Sequence, residues 1–137
     1  MRSGLPALAM MVLSVVPPVH AAPPTAEALQ WHRRLLLIAT PSPQDRPAVE
    51  QRRILDDWTR GAAGRDMTLV EVSGGHVDGL ADDAASLRRR YAIKPGRFEV
   101  LLTGKDGRVA MRSGQPIPAG TLQSTIDAMP MRRAGER

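Results

Sequence analysis

Apolar positions along the chain fall into two patterns, short continuous runs and stripes at helical spacing. The run Leu35-Leu36-Leu37-Ile38-Ala39 follows Arg33-Arg34 and stops at Thr40-Pro41. A run of that length, bounded by turn residues, predicts a strand buried on both faces, as at the centre of a parallel sheet. Pro41, Pro43 and Pro47 make the next segment a loop feeding a helix. Asp45 serves as its N-cap, because this leaves Pro47 in the first turn, where a missing N–H does little harm. Val49, Ile54, Leu55, Trp58 and Ala62 then recur with roughly helical spacing, and Gly61 and Gly64 mark the end. Met67 to Val72 is a second strand, closed by Ser73-Gly74-Gly75, so the three elements form a βαβ unit with a right-handed crossover.

The loop His76 to Gly79 leads into a second helix, with Leu80, Ala84, Leu87 and Tyr91 along one stripe and Lys94-Pro95-Gly96 at its end. Phe98 to Thr103 is a third strand. Gly104-Lys105-Asp106-Gly107 has the Asp-Gly signature of a tight hairpin, returning Arg108 to Arg112 as an antiparallel fourth strand. Leu122, Ile126 and Met129 give a last helix its apolar stripe, and Pro130 ends it. The order is β-α-β-α-β-β-α, an α/β chain.

The N-terminus changes the picture of where this domain works. Arg2 precedes an apolar stretch from Leu5 to Val16, Pro17-Pro18 break it, and Val19-His20-Ala21 places small residues at the −3 and −1 positions of a cleavage site. That is the pattern of a secretory signal peptide over residues 1–21. The stretch is short of the ~20 apolar residues of a membrane span, so no span is expected after cleavage, although an uncleaved anchor is the alternative. Residues 22–30 read as a linker or short helical turn, residues 31–131 as one domain and residues 132–137 as a disordered tail. The expected location is periplasmic or secreted.

Charge adds little: 19 Lys and Arg against 14 Asp and Glu give +5, spread along the chain, with Lys94 and Lys105 as the lysines. The cysteine count of zero matters more. It excludes disulfides, thiol redox chemistry and lipid attachment at a cysteine.

The element order resembles the minimal thioredoxin-like fold, which implies a mixed four-stranded sheet flanked by helices. Arg90-Tyr91, Phe98 to Leu102 and Gly104-Lys105-Asp106-Gly107 resemble the C-terminal half of thioredoxin. Four segments together resemble a particular thioredoxin-like family. They are Trp31-x-x-Arg34-Leu35-Leu36-Leu37, Arg65-Asp66-x-x-Leu69-Val70-Glu71-Val72, Leu101-Leu102-x-Gly104-Lys105-Asp106-Gly107 and Thr125 to Arg132. That family occurs as short secreted bacterial proteins and as repeated modules in animal extracellular-matrix proteins of the equarin and sushi-repeat group. It implies matrix or adhesive roles and carries no established reaction, cofactor or catalytic residue across.

Where a redox thioredoxin carries Cys-x-x-Cys at a helix N-terminus, this chain has Thr40-Pro41-Ser42-Pro43-Gln44-Asp45. Thioredoxins also place a cis-proline just before the third strand, whereas Pro95 stands three residues ahead of Phe98. A serine nucleophile at Ser42 would need a base and a group to orient it, and His32 and His76 belong to no such motif. Capping explains Ser42 and Asp45 better. His76 and Asp78, with Asp82 and Asp83, have metal-ligand chemistry but neither zinc nor calcium spacing, and helix-dipole interaction explains the aspartates. In Arg88-Arg89-Arg90, successive side chains point about 100° apart and cannot form one fork. Arg89 and Arg90 with Arg97 are the candidates for an anion patch. Trp31, Trp58, Tyr91 and Phe98 fit core or core-edge positions, leaving no base-stacking platform, so nucleic acid is not an expected partner.

Ser42, Asp45, His76, Asp78, Arg89, Arg90 and Arg97 are therefore the candidate ligand-binding residues, with no catalytic, metal or cofactor site expected. The leading expectation is an exported non-catalytic module that binds another envelope or extracellular protein or polymer. The alternatives are a cysteine-independent enzyme and a binder of anionic surface polymers through arginines.

Overall fold

A computed structural model describes residues 4, 14–18 and 21–135. The expected leader over residues 1–21 thus lies mainly outside the described residues, as do the last two residues of the expected tail. No helix among the described residues is long and apolar enough to cross a membrane.

The run that follows Arg33 forms β1 (Arg34–Thr40), every residue of it buried. It pairs in parallel with β2 (Met67–Ser73), Leu36 opposite Leu69, and antiparallel with β4 (Glu99–Thr103), Leu37 opposite Leu101. Between β1 and β2 the chain makes α2 (Arg46–Asp57) and α3 (Thr59–Ala63), and α1 (Ala26–Leu29) precedes β1. β3 (His76–Asp78) and α4 (Ala84–Tyr91) follow β2, and β5 (Val109–Ser113), α5 (Ala119–Asp127) and α6 (Pro130–Arg133) follow β4. Among the described residues the strands form one mixed sheet in the order β3-β2-β1-β4-β5.

Alternation along β1 sorts the core into two layers. Leu35, Leu37 and Ala39 pack with Ala26 of α1, Ala84, Leu87 and Tyr91 of α4, and Leu80 and Ile93. Leu36 and Ile38 pack on the other face with Ala48 and Leu55 of α2, and with Leu122 and Ile126 of α5. Burial of both faces is why the β1 pattern is a run with no polar alternation.

The sheet has five strands where the sequence reading gave four. Residues 76–78, expected in a loop, pair antiparallel with β2, Val72 opposite Val77, across a two-residue turn at Gly74-Gly75. Gly74 has φ +58, the positive angle that the first position of a tight hairpin turn requires. Three residues are too short for their alternation to register as a strand.

Helix details differ from the expected ones for similar local reasons. The inward face of α2 carries Ala48, Gln51 and Leu55, while Val49 is 48% exposed. Gln51 is fully buried because its side chain donates to Ile117 O (3.1 Å) and accepts from Ile117 N–H (2.7 Å), fastening α2 to the segment before α5. Gly61 does not end the helical stretch, since α3 runs through it under the Trp58 indole. Leu80 lies ahead of α4, and Asp83 is its N-cap, accepting from Ser86 N–H (2.8 Å) and Ser86 Oγ–H (2.8 Å). Pro130 closes α5 and opens α6, so Arg132 and Arg133 are helical. Trp31 is not core: it is 60% exposed, with φ +72.

Candidate functional site

The C-terminal ends of β1 and β2, the β2–β3 hairpin and the 94–97 loop meet at one end of the sheet. Thr40, the last residue of β1, is buried, and its hydroxyl lies 2.9 Å from both Ser42 O and Asp45 Oδ2. Asp45 Oδ2 also accepts from Ser42 N–H (3.2 Å). Asp45 therefore occupies the N-cap position of α2 but spends its carboxylate folding the preceding loop, with no side-chain cap bond. Ser42 Oγ donates to Gln44 Oε1 (2.7 Å) and accepts from Gln44 N–H (3.3 Å). The capping expected of Ser42 and Asp45 is thus found within the loop and not at the helix, where Asp45 makes no side-chain cap bond. Among the described residues no histidine is bonded to Ser42, as a general-base arrangement would need.

Two hollows flank this loop. The larger, about 690 Å³, is lined by Pro43, Gln44, Val49, Arg52, Glu71, Ser73, His76 and Asp78. Here the structure brings His76 and Asp78 beside the loop that carries Ser42 and Asp45, although neither Ser42 nor Asp45 lines the hollow. Arg52 Nε reaches both Glu71 oxygens (2.9 and 3.1 Å), and its Nη2 donates to Pro43 O, tying α2, β2 and the loop together. Among the described residues no group of three or more His, Asp or Glu side chains is gathered to hold a metal ion. The two remaining aspartates of the expected cluster are structural: Asp82 Oδ2 accepts from Ala26 N–H (2.8 Å), holding α1, and Asp83 caps α4. The amide and hydroxyl of Ser86 hold the Asp83 carboxyl below its ordinary pKa.

The smaller hollow, about 320 Å³, lies on the other side of Thr40 and is basic. Arg88, Lys94 and Arg97 line it together with Ala39, Thr40, Pro41, Gly74, Pro95 and Gly96. Of the arginine run, the member facing this hollow is Arg88. Arg89 donates instead to Ser86 Oγ (3.2 Å), and Arg90 lies 5.8 Å over the Tyr91 ring. Arg88 Nη2 donates to Gly74 O (2.5 Å), while its buried Nε–H has no acceptor. A buried donor left without a partner costs about 1–3 kcal/mol. The sequence reading missed Arg88 and Lys94, the first because of the fanned run and the second because Lys94-Pro95-Gly96 reads as a helix stop. The available signal was position: Arg88 follows inward-facing Leu87 and precedes the chain reversal that carries Lys94 and Arg97.

At the opposite end of the sheet a third hollow, about 630 Å³, is lined by Trp31, Arg34, Lys105, Arg108, Met129 and Met131, among others. Its floor is a polar clasp. Lys105, 4% exposed, donates from Nζ to Asp66 Oδ2 (2.9 Å), and this bond holds the Asp66 carboxyl below its ordinary pKa. Arg34, 1% exposed, donates to Arg65 O (2.9 Å) and packs its Nε 3.3 Å from Met129 Sδ. Trp31 N–H donates to Lys105 O, which fixes the exposed indole at the rim (2.5 Å). All four sequence segments that carried the family resemblance contribute to this end, as a bonding network around the start of β1.

An α/β domain with helices on both sides of a mixed five-stranded sheet, basic at one strand end and clasped at the other, is thus the class of protein at hand. Residues 25–135 match the model of a family described as a domain of unknown function (DUF4174), and the chain belongs to that family.

Proposed function

We propose that this chain is an exported, non-catalytic binding module on a thioredoxin-like scaffold, engaging another envelope or extracellular component through the C-terminal ends of β1 and β2. The scaffold reading is supported by the sub-order β2-β1-β4-β5, with β1 and β2 parallel, β4 and β5 antiparallel, and helices on both faces. In that reading β3 is a hairpin addition at one edge. Export rests on the leader pattern of residues 1–21.

The observation that carries the binding role is the state of the loop at residues 40–45. Where a redox member of such a fold keeps its thiols, Thr40, Ser42, Gln44 and Asp45 bond to one another. Their hydroxyls and carboxylate stabilise the loop, while the hollows beside it offer His76, Asp78, Arg88, Lys94 and Arg97 to a ligand. The bond before Pro95 is trans, unlike the proline that thioredoxins set against their thiols.

Titration of the isotope-labelled mature chain with solubilised envelope polymer should move backbone resonances of residues 40–45, 74–76 and 94–97. Resonance changes confined to the Trp31 end would overturn the proposal. So would turnover of a substrate that Ser42→Ala or His76→Ala abolishes.

A further inference from the structure

We propose that Arg88, Lys94 and Arg97 form a binding site for an oxyanion group, a phosphate, sulfate or carboxylate, in the hollow beside Thr40. This rests on the binding reading above and gives it a ligand class. The three cations come from separate pieces of chain, the last turn of α4, the loop after it and the approach to β4, yet they line one hollow of about 320 Å³. No carboxylate lines that hollow among the described residues.

What each cation already does decides what it has left to offer. Arg88 is immobilised by its bond to Gly74 O, so its guanidinium charge is held beside the hollow before any ligand arrives. Lys94 has no hydrogen bond or ion pair among the described residues. Arg97 is 3.8 Å from Glu99 Oε2, but Glu99 is engaged more closely by Arg112 Nη1 at 2.5 Å. An oxyanion here would be met by the fixed Arg88 guanidinium and by Lys94 and Arg97, and be screened less than on an open face.

Two fields oppose an anion in this hollow. The C-terminus of α4 presents partial negative charge equivalent to roughly half an electron, which three full positive charges exceed. The Asp45 carboxylate lies behind Thr40 and is taken up by the Thr40 hydroxyl and the Ser42 amide. Arginine suits the planar or tetrahedral oxygens of such groups, and a lysine beside it adds a mobile point charge.

The test is a titration of the mature chain at low ionic strength with inorganic phosphate, inorganic sulfate and dextran sulfate, followed by NMR of the arginine Nε–H and backbone signals. Saturable binding should shift the Arg88 Nε–H and the amides of residues 94–97. Lys94→Gln and Arg88→Gln should each weaken it about tenfold, the loss expected for one charge-assisted contact. Arg89→Gln and Arg90→Gln remove the same charge from the same helix and should leave affinity within about twofold. Lys94 is exposed, so its variant stays informative if the Arg88 change perturbs folding. Binding of dextran sulfate alone, without the inorganic ions, would assign the site to an oxyanion carried on a polymer. Equal weakening by Arg89→Gln and Lys94→Gln would overturn the site in favour of diffuse charge. If none of the three anions shifts residues 94–97 while envelope polymer still does, the oxyanion assignment fails and the binding role stands.

Discussion

At Gly79 the backbone has φ +97, and a Cβ built there would lie 2.6 Å from the carbonyl oxygen of Leu69. Ala92, the C-cap of α4, also sits in the left-handed region, at φ +52, but carries a Cβ. The two positions call for opposite substitutions. Gly79→Ala should lower stability in urea unfolding by about 2 kcal/mol, through strain and the clash together. Ala92→Gly should raise it by about 1 kcal/mol, since glycine removes the left-handed penalty. Neither position was legible in the sequence: Gly79 reads as one glycine of a loop, and an alanine carries no sign of a left-handed cap. Side-chain roles were legible where residue type restricts them. Asp83 could be placed at the start of α4, but whether it capped the helix or lay in its first turn depended on one residue of register.

Between elements, the clasp of Lys105 and Asp66 joins the β4–β5 turn to the start of β2, and its two partners differ in exposure. The Lys105 side chain is 3% exposed and the Asp66 side chain 28%. Asp66→Asn leaves an ammonium buried without a counter-charge and should cost about 3 kcal/mol in chemical denaturation. Lys105→Met leaves a carboxylate that water and Arg33 still reach, so about 1 kcal/mol is expected. Equal losses from the two would mean that the pair acts only as packing. The clasp also shows what sequence patterns express at this scale. β1 and β4 were readable because two-sided burial leaves apolar runs, and β2 because Leu69, Val70 and Val72 stand in a short segment closed by Ser73-Gly74-Gly75. β3 escaped because three residues give no period, and the inward face of α2 slipped from Val49 to Ala48 because Gln51 occupies a buried position through its bonds to Ile117. The strand-end loop was correctly placed, whereas the basic hollow depends on how α4 and the 94–97 loop turn toward β1, which no local pattern encodes.

For the molecule as a whole, four carboxyls among the described residues have pKa values below their ordinary range. The Arg53 guanidinium holds down Glu50, the Lys105 ammonium holds down Asp66, the Ser86 amide holds down Asp83, and the Arg65 guanidinium holds down Asp127. A carboxyl whose folded pKa is depressed contributes stability that is present above its unfolded pKa, near 4, and is lost as pH falls through the folded value. Thermal melts should therefore show no loss from these groups between neutral pH and about pH 5, then a fall below about pH 4. Asp66→Asn should shallow that acid limb, because one linked proton is removed. An unchanged limb in this variant would place the acid sensitivity elsewhere.

The uneven burial of the lysines has a practical consequence for chemical modification. Lys105 is shut in by Asp66 and the surrounding side chains, while Lys94 stands at the rim of the basic hollow. In the folded chain an amine-selective acylating reagent should therefore mark Lys94 and the terminal amine and pass over Lys105. That makes Lys94 a built-in attachment point for a fluorophore or crosslinker, with its reactivity reporting directly on whatever occupies the hollow beside it.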